Sequence, residues 1–61
     1  MPGQKIILNS ASCRNCGDTL ISRHAHDFKM CQCKMIGVDG GHEYLKRIGN
    51  SSSIVELSKF A

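Results

Sequence analysis

Four cysteines in a chain of 61 residues constrain this fold more than any other feature of it. A chain of this length buries a small share of its surface and is marginal without a staple. Ordering each residue costs roughly 1.5 kcal/mol, and burying one large apolar side chain returns about 1.5–3 kcal/mol. The apolar set is thin and holds no tryptophan. The cysteines must therefore contribute, either as two disulfides or as one metal site. The segment after Met1 carries only Ile6, Ile7 and Leu8 as a strong apolar run. That is too short for a secretory signal, and no stretch approaches the ~20 residues of a membrane span. The expectation is a cytoplasmic protein without a membrane role, where thiols stay reduced and a cysteine framework points to metal.

The spacing supports metal. Cys13-Arg14-Asn15-Cys16-Gly17 is a C-x-x-C-G turn, in which two sulfurs of one tight turn face one ion and Gly17 lets the backbone pass the second sulfur. Cys31-Gln32-Cys33 supplies a second pair, and the 14 residues 17–30 between the pairs fit an out-and-back hairpin. The pattern predicts one structural zinc on Cys13, Cys16, Cys31 and Cys33, closed and tetrahedral. The second pair is the tighter C-x-C, and Lys34 stands where glycine often follows. A mixed site with His24 or His26 replacing one sulfur therefore stays open, as do disulfides, a Cys13–Cys16 redox dithiol without the βαβ context such motifs need, and iron. The formal charge is +3 with neutral cysteines. Four thiolates remove four charges and the ion returns two, so the zinc form carries about +1. Net charge alone therefore gives no strong nucleic-acid footprint.

The whole chain, 1–61, reads as a single small metal-stapled, zinc-ribbon-like domain of mostly short antiparallel strands, with room for one short helix. Strands are predicted over residues 5–8, ended by Asn9-Ser10, and over 18–23, with 25–30 as its hairpin partner. Another is expected over 34–38 and a last one over 54–57, set against the first or across a dimer. Asp39-Gly40-Gly41 is the strongest turn signal. Beyond it, Tyr44, Leu45 and Ile48, with Glu43 four residues before Arg47, suggest a short helix, and an edge strand is the competing reading. Ser51-Ser52-Ser53 reads as a polar spacer.

Other polar groups have a plain and a functional reading. His24-Ala25-His26-Asp27 resembles a fragment of a catalytic metal motif. With only His42 left to join it, it reads better as strand or hairpin surface, with Asp27 capping a turn. Asp39-Gly40-Gly41-His42 could offer N–H groups to an anion, or be a simple β-turn. Tyr44, Lys46 and Arg47 form an aromatic-basic group, and Arg14, Arg23, Lys29 and Lys34 make the cysteine end basic.

Three blocks together carry a resemblance: Cys-x-x-Cys-Gly-Asp from Cys13, His-Asp-Phe-Lys-x-Cys-x-Cys from His26, and Val-Asp-Gly-Gly-x-x-Tyr-Leu-Lys-Arg from Val38. As a set they resemble a small zinc-ribbon family of short bacteriophage and bacterial proteins, over Cys13 to Gly49. The resemblance implies the four-cysteine zinc site and a phage or prophage setting, and it transfers no mechanism. It places His26, Asp27, Asp39, Gly40, Gly41, Tyr44 and Arg47 in the domain's signature. The functional expectation is a non-enzymatic module, monomer or small homo-oligomer, that docks on a host transcription or defence complex and inhibits or redirects it. Its contact residues would be Tyr44, Lys46, Arg47, Arg14 and Lys34, with Tyr44 and Arg47 as anchors. The alternatives are a nucleic-acid-binding regulator, betrayed by steep salt dependence, and a metal hydrolase built on His24, His26, Asp27 and His42, which would need a second ion.

Overall fold

The computed structural model describes residues 5–61. They form seven short strands: β1 (Ile6–Cys13), β2 (Thr19–Ser22), β3 (Lys29–Met30), β4 (Ile36–Asp39), β5 (Lys46–Gly49), β6 (Ile54–Glu56) and β7 (Lys59–Phe60). A single 3-10 turn, Ser51–Ser53, is the only helical element among the described residues. All pairings are antiparallel.

In the first sheet β1 lies between β2 and the C-terminal strands. It runs further than the sequence suggests, straight through Asn9 and Ser10 to Cys13. Those two residues do not stop the strand, because their side chains find buried partners instead of competing with the ladder. The last predicted strand does lie on the first: Ile54 pairs with Cys13 and Glu56 with Ala11. The Leu8–Lys59 pair keeps the same register, so β6 and β7 are successive stretches of one edge. Between them the Leu57 N–H donates to the Ser10 carbonyl, and the Ser10 N–H donates to the Ser58 hydroxyl at 3.0 Å. A register shift follows between Ile6 and Leu8.

The second sheet is β3-β4-β5. Here two expectations are corrected. Residues 25–30 form no ladder with β2; only Lys29–Met30 is a strand, and it pairs with β4. Each cysteine pair thus lies at the turn of its own hairpin, β1–β2 and β3–β4. No helix forms over Tyr44–Ile48 either; the competing edge-strand reading is the one that holds. Lys46–Gly49 pairs along the whole of β4, and Arg47 bonds Glu56 rather than Glu43, so tertiary pairing overrides a weak local preference.

The core is Ala11, Cys13, Leu20, Cys31, Ile36 and Val38, with Cys16 and Ile54 packed on it. Two of the six core residues are therefore sulfur ligands. Ile36 and Val38 are fully buried and alternate with Gly37, which pairs with Met30 and Ile48 on the opposite face. The half-exposed Phe28 ring lies over Gly37. Arg47 fastens the two sheets together: its guanidinium donates to both Glu56 carboxylate oxygens at 2.8 and 2.6 Å, to the Ser58 hydroxyl at 2.8 Å and to the Ser10 carbonyl at 3.3 Å.

Candidate metal centre

The two turns put all four sulfurs within 4.8 Å of one another. Cys33 Sγ lies 3.5 Å from Cys31 Sγ and 3.6 Å from Cys13 Sγ. With Zn–S bonds of about 2.3 Å, a tetrahedron has S···S edges of about 3.8 Å. The sulfurs are therefore set at the spacing of zinc ligands, and all four cysteines are free thiols rather than disulfides. A site made wholly of sulfur suits zinc and closes its coordination, with no position left for water or substrate. His24 and His26 are not in the cluster.

Each turn closes the same way. In the first, the Gly17 N–H donates to the Cys13 carbonyl at 2.8 Å, with Gly17 at φ +81°. In the second, the Lys34 N–H donates to the Cys31 carbonyl at 3.0 Å, with Lys34 at φ +61°. Both second cysteines are followed by a left-handed residue, and only the first turn spends a glycine there. A side chain in that conformation costs about 1–2 kcal/mol. Lys34→Gly should therefore stabilise the zinc form by about 0.5–1 kcal/mol after the added freedom of the unfolded chain is subtracted. Its Tm should rise by about 4 °C, read by thermal denaturation with zinc present. A lower Tm would mean that the lysine side chain supports the turn in some other way.

The electrostatics fit a cation. Burial opposes the Cys31 thiolate, yet the Ile36 N–H, 3.4 Å from its sulfur, and hydrogen bonds from the other three cysteines hold it at about 6. Cys16 is lowered too, first by the Cys33 N–H and then by that of Asp18. The Cys16 N–H favours the Cys13 thiolate, but burial and the adjacent Cys33 and Cys16 sulfurs push this thiol up to about 11. Four like charges at this spacing do not coexist without a counter-charge, and a divalent ion supplies it. The two turns are also tied directly: the Gln32 N–H donates to the Asp18 carboxylate at 2.7 Å. Arg14 and Lys34 are exposed on the two turns and place positive charge beside the sulfur cluster.

The other predicted site residues separate. Lys46 is exposed on β5, and the Tyr44 hydroxyl lies 3.3 Å from His26 Nδ1, with the two rings edge to face. Arg47 is committed within the chain, its side chain only 16% exposed, and does not stand beside Tyr44 as a free anchor. Its bond holds the Glu56 carboxyl below the usual range. Asp27 accepts from the Arg23 N–H at 2.9 Å and pairs with Lys29, which lowers its carboxyl, so it caps a turn as expected. His42 Nδ1 is 2.7 Å from the Ile6 carbonyl. Among the described residues, His24, His26, Asp27 and His42 form no metal-ligand group. The Asp39-Gly40-Gly41 turn uses its N–H groups internally, Gly40 to Asp39 Oδ1 and Gly41 to the Ser22 hydroxyl. Gly41, at φ +53°, sits against the His24 backbone with no room for a Cβ.

One group escaped sequence reasoning. Asn9, Ser10 and Ser22 are buried polar residues. Asn9 Nδ2 donates to the carbonyls of Gly41, Asp39 and Tyr44 at 2.9, 3.0 and 3.2 Å. It anchors the glycine turn to β1. No helix among the described residues is long and apolar enough to cross a membrane.

The family model described as a domain of unknown function (DUF7695) matches residues 5–49. No curated protein and no solved structure matches the chain.

Proposed function

We propose that this chain, which belongs to the DUF7695 family, is a non-catalytic protein-binding module whose zinc holds a small scaffold in shape. The observation that carries the reading is the outer face of the second sheet. Its inner face, through Ile36 and Val38, is core, while the outer face presents Met30 and Ile48 half-buried with the half-exposed Phe28 ring over Gly37, and Met35, just before β4, is nearly half exposed. An aromatic and two methionines on a rigid sheet suit a protein partner, and a domain of this size offers one face of roughly 800 Å². The closed sulfur site supports the same reading, since it gives zinc a structural rather than a catalytic part. Arg47 is spent on Glu56, which moves the proposed anchors from Arg47 towards Phe28 and Met35, with Tyr44 and Lys46 at the rim. The setting drawn from the sequence resemblance is a bacteriophage or prophage protein in the host cytoplasm, docking on a transcription or defence complex.

The test is capture from bacterial lysate by the zinc-loaded chain, beside a Phe28→Ser/Met35→Ser double variant shown by mass to keep its zinc. The reading expects one dominant protein, retained after nuclease treatment and reduced at least about tenfold by the double variant. Unchanged capture by the variant, or capture of nothing, would reject it. Nuclease-sensitive nucleic acid alone, released by moderate salt, would point instead to the exposed cations Arg14, Arg23, Lys34 and Lys46.

A further inference from the structure

We infer that the outer edge of β1 is a strand-acceptor site, with Arg47 as its selector, filled within the chain by residues 54–60 and able to take the same segment from a second copy. Strand exchange at this edge does not depend on whether the module binds proteins through its second sheet.

Three observations carry it. The first is how the segment is held. No residue of β6 or β7 is fully buried, and only Ile54 packs on the core. The attachment is otherwise an edge ladder plus a small set of polar contacts: Glu56 to Arg47, and Ser58 to Arg47 and Ser10. Segments with few buried contacts open at low cost. The second is the selector. Arg47 projects from the second sheet and reads the incoming strand at two positions, the carboxylate at 56 and the hydroxyl at 58. Arginine bonded to both oxygens of one carboxylate is geometrically specific, so the edge prefers a strand with an acid two residues before a serine. Every copy of this chain carries that strand. The third is the division of the chain. The family match contains the acceptor, β1 and Arg47, and ends at residue 49, before the donor strand begins. A polar connector, Asn50 and the 3-10 turn Ser51–Ser53, is all that joins them. Short connectors of this kind are where strands exchange between copies.

A charge-swapped pair tests this. In an Arg47→Glu chain the acceptor repels its own Glu56. In a Glu56→Arg chain, Arg47 repels its own strand. Mixed, each donor strand meets an acceptor of opposite charge only across the two chains. The expected result is a one-to-one heterodimer with two zinc ions by native mass spectrometry, formed on mixing and absent from either chain alone. Two zinc-loaded variants that stay monomeric when mixed would overturn the inference. If either variant loses its zinc, hydrogen exchange on the wild type decides. The amides of Ile54–Leu57 should exchange at least about tenfold faster than those joining β1 to β2. Equal protection of both edges would overturn it.

Discussion

Removing the metal is expected to unfold the chain completely. A strong chelator under reducing conditions should abolish the β-sheet signal in far-UV circular dichroism, and added zinc should restore it. Binding zinc to a small four-ligand site contributes on the order of 10–16 kcal/mol near neutral pH. The apolar core cannot replace that. Its non-cysteine members are Ala11, Leu20, Ile36 and Val38, and without the ion the other two core residues are the crowded Cys13 and Cys31, of which Cys31 favours its charged form. The cysteines should also differ in cost. Cys31 is buried and accepts the Ile36 N–H, so Cys31→Ser loses a ligand, a packing contact and a backbone partner. Cys33 is exposed, so Cys33→Ser loses chiefly a ligand and should still fold in excess zinc. An unchanged spectrum in the metal-free chain would show that the core is sufficient by itself.

Replacing Asn9 is expected to have the next largest effect. This side chain is 1% exposed and donates to three carbonyls more than 29 residues away along the chain. In Asn9→Ala those carbonyls lose their donor, the Gly41 carbonyl in a buried bond and the Asp39 and Tyr44 carbonyls in part-buried ones. Each buried unsatisfied group costs about 1–3 kcal/mol, so a loss of about 3 kcal/mol is expected in denaturation of the zinc form. Asn9→Asp is nearly the same shape but turns the donor into an acceptor facing three oxygens, and should cost more than alanine. If the aspartate variant is as stable as the wild type, Asn9 does not hold the Gly40–Gly41 turn in the way described.

The contrast between these two sites shows what was readable in advance. The metal centre was legible because its ligands come in local pairs whose spacing has one good chemical use, and the clustering of Cys13, Cys16, Cys31 and Cys33 follows that reading. Lys34 stood out only as a departure from the usual glycine, and that departure pointed towards a histidine ligand rather than to the left-handed lysine the turn contains. The Asn9 anchor was not legible. Asn9-Ser10 looks like a strand stop because both residues disfavour β-structure locally, and what reverses this is a set of carbonyls on a distant turn. The segment around Arg47 failed for the same reason. Glu43 at i−4 suggested a helix, whereas the partner that decides the conformation, Glu56, is reached only once β6 lies on β1. The hairpin expected over 18–30 was misplaced because spacing alone does not say which neighbour a strand takes, and here β2 and β3 belong to different sheets.

The central claim is one ion held by four sulfurs, and cobalt tests it most directly. Co²⁺ added to the reduced, metal-free chain should bind one per chain. It should give the intense red-region ligand-field bands and near-ultraviolet sulfur-to-metal bands of a tetrahedral tetrathiolate, and both should disappear as zinc displaces it. Weak bands of a six-coordinate ion, or a stoichiometry other than one, would contradict the account.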